Sequence, residues 1–306
     1  MTEIGQEAIT RAGSAHAPEL RARAVGAASS GRAALREIGR TLAPADYLAA
    51  VFVLLLIAAI VVPRLLVSYD PLEGADGQTL RAPSLTHIFG TDYLGRDLYS
   101  RLVYGTATTL AASAVAVAVG FVGGIVLGIV SGYLGGWVDA VISRLIDVLL
   151  SVPGLLLSMV IVVALGFGAL NAAIAVGVSS IASFSRISRS EVLRVRGSAF
   201  VEAAQHQGSG RTRTLVQHIL PNSVGPVISL IPLQFGGAII WISSLSFLGF
   251  GAVPPQPEWG LLVSEGRQYL LAAPWLLLIP GLVIVLTVLS VSRLQQLGVG
   301  LRKAFS

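Results

Sequence analysis

"SAFVEAAQHQGSGRTRTLVQHILPN", residues 198–222, is a polar, helix-patterned stretch set between two strongly apolar ones, 169–187 and 223–248. Its surroundings decide the fold. The chain of 306 residues is 54% hydrophobic and 12% charged, with a mean hydropathy of +0.78. Soluble domains carry about a quarter charged residues, so this balance is that of a multi-span membrane protein. A first apolar run, "YLAAVFVLLLIAAIVVPRLLV" (47–67), is long enough to cross a hydrocarbon core roughly 30 Å thick and reads as an uncleaved anchor. Further runs at about 108–131, 142–166, 169–187, 223–248 and 272–292 bring the expected number of spans to six.

Charge placement orients them. Of the 21 basic residues, 16 fall on one face of the six-span arrangement: six arginines before residue 41, Arg144, six from Arg186 to Arg213, and Arg293, Arg302 and Lys303. The positive-inside rule then predicts that the N-terminal tail, the 198–222 island and the C-terminus are cytoplasmic. The chain divides into a tail (1–46) with one weak amphipathic helix around Glu19–Leu42, a first transmembrane helix (47–68) and an external loop (69–107). A five-helix core (108–292) carrying the cytoplasmic loop 188–222 follows, then a C-terminal tail (293–306). No internal repeat is visible.

Composition also excludes chemistry. There is no cysteine, and the only lysine is Lys303, so neither a thiolate site nor a G-x-x-x-x-G-K-[ST] phosphate loop exists in this chain. The scattered histidines lack metal-ligand spacing. Gly177-Val178-Ser179 invites comparison with intramembrane serine proteases, but His87, His206 and His218 fall in loops or at a span edge. An ion-coupled transporter needs an ionisable residue at the midplane. Asp139 and Asp147 lie near one end of the third span, and Arg144 and Asp147, three apart, are placed to pair with each other or with a neighbour.

Within the island, Ser198 is expected to cap a helix over Ala199–Gln207, roughly 13 Å long, with Glu202 near its positive end and Gly208 as its left-handed stop. Phe200, Val201 and Ala204 form its apolar face. So short a helix must dock on something. The physics alone leaves two readings open, a surface helix in an ordinary loop and a docking element for a cytoplasmic partner.

The pattern Glu202, Ala203, Ala204, then Gly208, then Leu220-Pro221 resembles the loop signature of the membrane subunits of bacterial ATP-binding-cassette importers. "FGTDYLGRDLYSRLVYGTATTL" (89–110), "LSFLGFGAVPPQPEWGLLVSEGR" (245–267) and "AAPWLLLIPGLVIVLTVLSVSRLQQLGVGLRKA" (272–304) resemble the dipeptide, oligopeptide and nickel branch, and the early first span resembles its C-type subunit. One departure is the tail, where Val299 stands in place of the acid common in that branch. The resemblance implies an all-α, polytopic fold of six transmembrane helices, the type I importer transmembrane domain, in the bacterial plasma membrane. It implies a permease without catalytic or cofactor site. ATP and Mg would be handled by partner ATPase subunits, which Glu202, Ala203, Ala204, Gly208, Leu220 and Pro221 would engage. A second permease and an external substrate-binding protein complete the expected partners. The expected cargo is di- or oligopeptide, with nickel, glutathione or another small solute as the alternative, and no nucleic acid is involved. Polar groups facing a wet pathway would come from Asn171, Ser179, Ser180 and Ser183, and from Gln234, Trp241, Ser243 and Ser244, although small polar residues in spans more often pack helices together. Pro153, Pro226, Pro232 and Pro280 mark expected bends. Asp92, Arg96, Asp97, Glu258 and Trp259 are expected on external docking loops.

Overall fold

The computed structural model describes residues 43–305, so the amphipathic helix expected at Glu19–Leu42 lies outside the described residues. Those residues are mostly helical, with no strand among them. In chain order the helices are α1 (Pro44–Val61), α2 (Pro63–Leu66), α3 (Leu98–Leu134), α4 (Gly136–Ser151), α5 (Gly154–Leu165), α6 (Ala169–Arg196), α7 (Ala199–His206), α8 (Arg211–Thr214), α9 (Leu220–Ile228), α10 (Ile231–Phe247), α11 (Trp259–Gly266) and α12 (Trp275–Phe305). Two units are distinguished; Ala49–Gln295 is one, and the described residues 43–48 and 296–305 belong to the other. In the latter, Asp46 Oδ2 accepts from the Ala43 amide at 2.8 Å, closing the start of α1.

The bundle in Ala49–Gln295 is organised by one close seam. Four glycines of α3, four residues apart, face four residues of α6 with the same spacing: Gly120 on Ser180, Gly124 on Phe184, Gly128 on Ser188 and Gly132 on Val192. Both numbers rise together, so α3 and α6 run parallel. A Cβ at Gly128 would stand 2.5 Å from Ser188 Cβ and 2.7 Å from Ser185 O, which only a hydrogen in that place avoids. Association of helices in lipid depends on such close approach, because burying apolar surface between helices gains little there. Ala112, Ala116, Val176, Phe184, Ile242 and Leu245 extend this seam into the main core with α10.

Parallel α3 and α6 require the intervening chain, α4 and α5, to return from the end of the one to the start of the other. Helices α4 and α5 do not form the straight helix expected over 142–166. The axis turns by 96° between Ser151 and Gly154. Pro153 lacks an amide proton and cannot continue α4, and Gly154 receives the ring of Trp241 where any Cβ would clash. A second bent pair, Arg211–Ile228 with Ile231–Phe247, turns by 47°. Four helices are long and apolar enough to cross a membrane alone, and counting each bent pair as one crossing gives six.

Two boundaries also differ from expectation. Helix α3 starts at Leu98, ten residues before the expected 108, capped by Asp97 through the Ser100 amide at 2.8 Å. Ser100, Arg101 and Thr106 fall in the stretch expected as an external loop, yet they are buried against protein. Helix α6 likewise continues past 187 to Arg196.

Candidate functional site

Three groups of expected site residues can now be placed. The island forms α7 one residue shorter than predicted, with Gln207 as its C-cap. Gly208 has φ +86° and its backbone turns the chain, its amide donating to Gln205 O at 3.0 Å while the Ser209 amide donates to Ala204 O at 3.0 Å. Ser198 does not cap with its side chain. Its hydroxyl turns back to Val195 O at 2.5 Å, tying α7 to the end of α6, and its carbonyl accepts from the Val201 and Glu202 amides at 3.0 and 3.2 Å. The side chain serves the junction with α6 rather than the orphan amides.

Only one face of α7 is held. Val201 is fully buried in a cluster with Val192, Val195 and Ile219, flanked by Ile129, Tyr133 and Leu215. Burying a valine contributes about 1.5–3 kcal/mol, enough to seat a helix of eight residues that would not form alone. Phe200, expected beside it, points outward and is 49% exposed. Glu202 and Ala203 are exposed with it, and Ala204 is half-buried. The sequence did hold a signal: Val201 and Ala204 are three apart on one face, Phe200 and Ala203 three apart on another, and both faces are apolar enough to bury.

The return from the island is built differently. Tyr133 Oη donates to Arg211 O at 2.6 Å, and Arg196 reaches Gly132 O and Tyr133 O at 3.3 and 3.0 Å, binding both flanks to the end of α3. Leu215–Ile219 then form a π-turn, with Ile219 buried. Half-buried Leu220 and exposed Pro221 open α9, where a proline lacks no needed donor. Helix α7 is therefore continuous with α6 through a packed joint, whereas its link to α10 passes the π-turn and the bend after α9.

The residues expected on external docking loops are internal instead. Asp92, Arg96, Asp97, Glu258 and Trp259 are all buried, because each satisfies a need of the fold. Asp92 accepts from Arg96 Nε and from a terminal nitrogen of Arg101, each at 2.7 Å, and that nitrogen also donates to Glu265 at 2.7 Å across 164 positions. Asp97 takes His87 Nδ1 at 2.9 Å besides capping α3. Glu258 caps α11 through the Gly260 and Leu261 amides at 3.0 and 2.9 Å and accepts from Thr109 at 3.1 Å. Trp259 Nε1 donates to Leu102 O at 3.1 Å. Burial and the Glu265 carboxylate push the Tyr93 phenol beside this network above its ordinary pKa. Side chains so engaged cannot form a docking surface.

The expected pathway residues scatter. Asn171 donates to Leu165 O and Gly166 O, both at 3.1 Å, and so closes the end of α5. Ser179 bonds Ser158 at 2.9 Å between α5 and α6, and Trp241 packs on Gly154. Ser180 turns to its own helix at Val176 O, 2.9 Å away. Ser183 and Gln234 are half-buried. Ser243 and Ser244 line a largely apolar cavity of about 330 Å³ between α10, α11 and α12, with Ile240, Phe247 and Gly281. Arg144 and Asp147 do not pair with each other; Asp147 takes the expected alternative, a neighbour, in Arg186 at 3.3 Å, and Asp139 takes Arg189 at 2.6 Å through both oxygens.

Comparison with known proteins places this arrangement. Residues 124–298, which contain Gly124, Gly128 and Gly132 of the seam, the island and most of α12, match the family described as the binding-protein-dependent transport system inner membrane component. A dipeptide transport system permease protein, DppC, of Alkalihalophilus pseudofirmus is 38% identical over 240 residues, 78% of each chain. A glutathione transport system permease protein, GsiD, of Shigella flexneri is 43% identical over 257 residues, 84% of each. Among solved structures, an amino acid ABC transporter chain aligns at a TM-score of 0.53 with 17% identity, covering 67% of this chain and 94% of that one. A chain of the inward-facing MetNI methionine ABC transporter aligns at 0.51 with 17% identity, covering 64% and 95%. The parallel glycine seam, the helix poised on its end and the extent of these matches lead to one conclusion: this chain belongs to the binding-protein-dependent transport system inner membrane components, the permease subunits of ABC importers.

Proposed function

We propose that this chain forms one half of the translocation pathway of an importer for di- or oligopeptides, driven by ATPase subunits that bind α7 on the cytoplasmic side. The observation that carries the reading is α7 itself, anchored by Val201 alone and presenting Phe200, Glu202 and Ala203 outward. A partner cleft that receives Phe200 and offers a cation or amides to Glu202 would grip it, and Ala203 allows close approach. Movement of the grip passes rigidly to α6 and, through the seam, to α3. Gly208 lets the loop turn back, and Leu220-Pro221 lead the return into α10.

ATP and Mg belong to the partner subunits, which suits a chain without a phosphate loop. A second permease would supply the other half of the pathway, and an external binding protein would deliver and select the cargo. The names of the relatives support peptide cargo and, as a second reading, glutathione, itself a tripeptide. The test is uptake by the assembled transporter in liposomes. With Phe200→Ala or Glu202→Ala, peptide uptake and cargo-stimulated ATP hydrolysis should fall together while assembly of the membrane subunits persists. Unchanged uptake in both variants would exclude α7 as the coupling element. Competition of labelled dipeptide uptake by glutathione separates the two cargo readings.

A further inference from the structure

Helix α4 is amphipathic with its sides reversed. Asp139, Ser143 and Asp147, four apart, turn toward the bundle, where Asp139 and Asp147 meet Arg189 and Arg186. The opposite stripe, Trp137, Val141, Leu145 and Val148, is 78%, 50%, 59% and 63% exposed. Arg144 is exposed midway along that stripe, at its edge toward Asp147. Both acids of its own helix are already taken by arginines of α6, so Arg144 has no ion pair among the described residues.

The ion pairs also give the direction of α4. Asp139 and Asp147 are eight residues apart, about 12 Å along their helix, yet their partners Arg189 and Arg186 are three apart, about 4.5 Å along α6. Helix α5 runs antiparallel along α6, Ser158 meeting Ser179 and Leu165 meeting Asn171, and α4 stands at 96° to α5. Helix α4 therefore crosses the flank of α6 steeply. Gly135 and Gly136, both at positive φ, reverse the chain from α3 into this crossing. The level at which it crosses is the arginine-rich end of α6, between Arg186 and Arg196.

We infer that α4 lies in the headgroup layer at this end of the bundle and binds anionic lipid, with Arg144 on the phosphates and the Trp137, Val141, Leu145 and Val148 stripe at the acyl boundary. A helix at 1.5 Å per residue lying across the spans keeps its whole length in one layer. An apolar stripe with tryptophan at one end and arginine midway along its edge suits the boundary between hydrocarbon and headgroups. Deep hydrocarbon is unsuited to Arg144 and to the exposed Asp147–Arg186 pair, and bulk water is unsuited to the stripe. Arg144, unlike the paired arginines, has its charge free for a phosphate.

This chain has no cysteine, so with partner subunits made cysteine-free the test runs on the full transporter in nanodiscs of phosphatidylcholine and phosphatidylglycerol. Spin labels on Val141→Cys, Leu145→Cys and Val148→Cys should collide readily with oxygen and poorly with a water-soluble nickel chelate. Labels shielded from both would show that another protein, such as the second permease, covers the stripe, and labels open to nickel would show water. Either result overturns the proposal. Arg144→Gln should lower phosphatidylglycerol retention, counted by native mass spectrometry, about fivefold, with Arg144→Lys keeping it. Equal retention in wild type and Arg144→Gln would remove the headgroup contact. None of these readouts depends on cargo or on ATP hydrolysis, so they are separate from the fate of the import reading.

Discussion

Replacing Gly128 by alanine sets two effects of known size against each other. In a helix interior, glycine is less favourable than alanine by about 1 kcal/mol, so propensity alone makes Gly128→Ala stabilising. The seam says the opposite. The new Cβ would lie 2.5 Å from Ser188 Cβ, 2.7 Å from Ser185 O and 2.8 Å from the Arg189 amide nitrogen, against an ordinary contact of about 3.5–4.0 Å. Two of these neighbours are backbone, so no rotamer change relieves the overlap. Helices α3 and α6 would have to part by about 1 Å, loosening contacts at Gly124 and Gly132 as well. Overpacking of a close core costs about 1–3 kcal/mol, which cancels or exceeds the gain from propensity. The control is Gly281→Ala in α12, where a Cβ meets nothing within 4 Å and the gain should appear unopposed. Thermal unfolding of the two variants in the same nanodiscs, followed by loss of the monodisperse peak, is the assay. Gly128→Ala should unfold below the wild type and Gly281→Ala at or above it. A Gly128→Ala protein as stable as Gly281→Ala would refute the parallel close-packed seam.

Glu265→Ala leaves Arg101, which has no exposed surface, without one of its two acids; breaking such a buried pair costs about 3–5 kcal/mol, so the yield of folded protein should collapse, whereas Glu265→Gln should recover part of it. Glu258→Gln keeps an acceptor for the α11 amides and should be milder than Glu258→Leu, which leaves them bare and should lower the unfolding temperature further. Val201→Ala removes about 2 kcal/mol of burial from the only anchored face of α7. Protease sensitivity should rise at Gly208–Arg211 while the transmembrane part stays intact.

Much of the fold was legible because its signals are local. Apolar run lengths marked the crossings, and arginine bias marked one end. Ser198 to Gly208 announced a short helix by its composition, and the glycine at 208 does occupy the left-handed conformation that closes it. The bends were half-legible: Pro153 suggested one, but a proline by itself does not distinguish a slight kink from a 96° turn. That angle is decided by Gly154 accepting Trp241 and by the pairs Asp139–Arg189 and Asp147–Arg186, partners 39 to 87 positions away.

The least legible residues were the polar ones near the end of the bundle opposite the arginine-rich one. Asp92, Arg96, Asp97, Glu258 and Trp259 lie among turn residues and prolines, a context that reads as exposed loop. Whether a charged side chain in such a loop meets water or a counter-charge depends on segments brought together from opposite ends of the chain. Arg101 and Glu265 are 164 positions apart and 2.7 Å apart. By itself the sequence determined that this is a many-span membrane protein with an arginine-rich end, a short polar helix between two spans and no phosphate loop, since each of these is a matter of composition and local period. Only the tertiary structure decided which faces are free. Phe200 and Val201 are adjacent and equally apolar, and it is the cluster of Val192, Val195 and Ile219 that takes one and leaves the other outward.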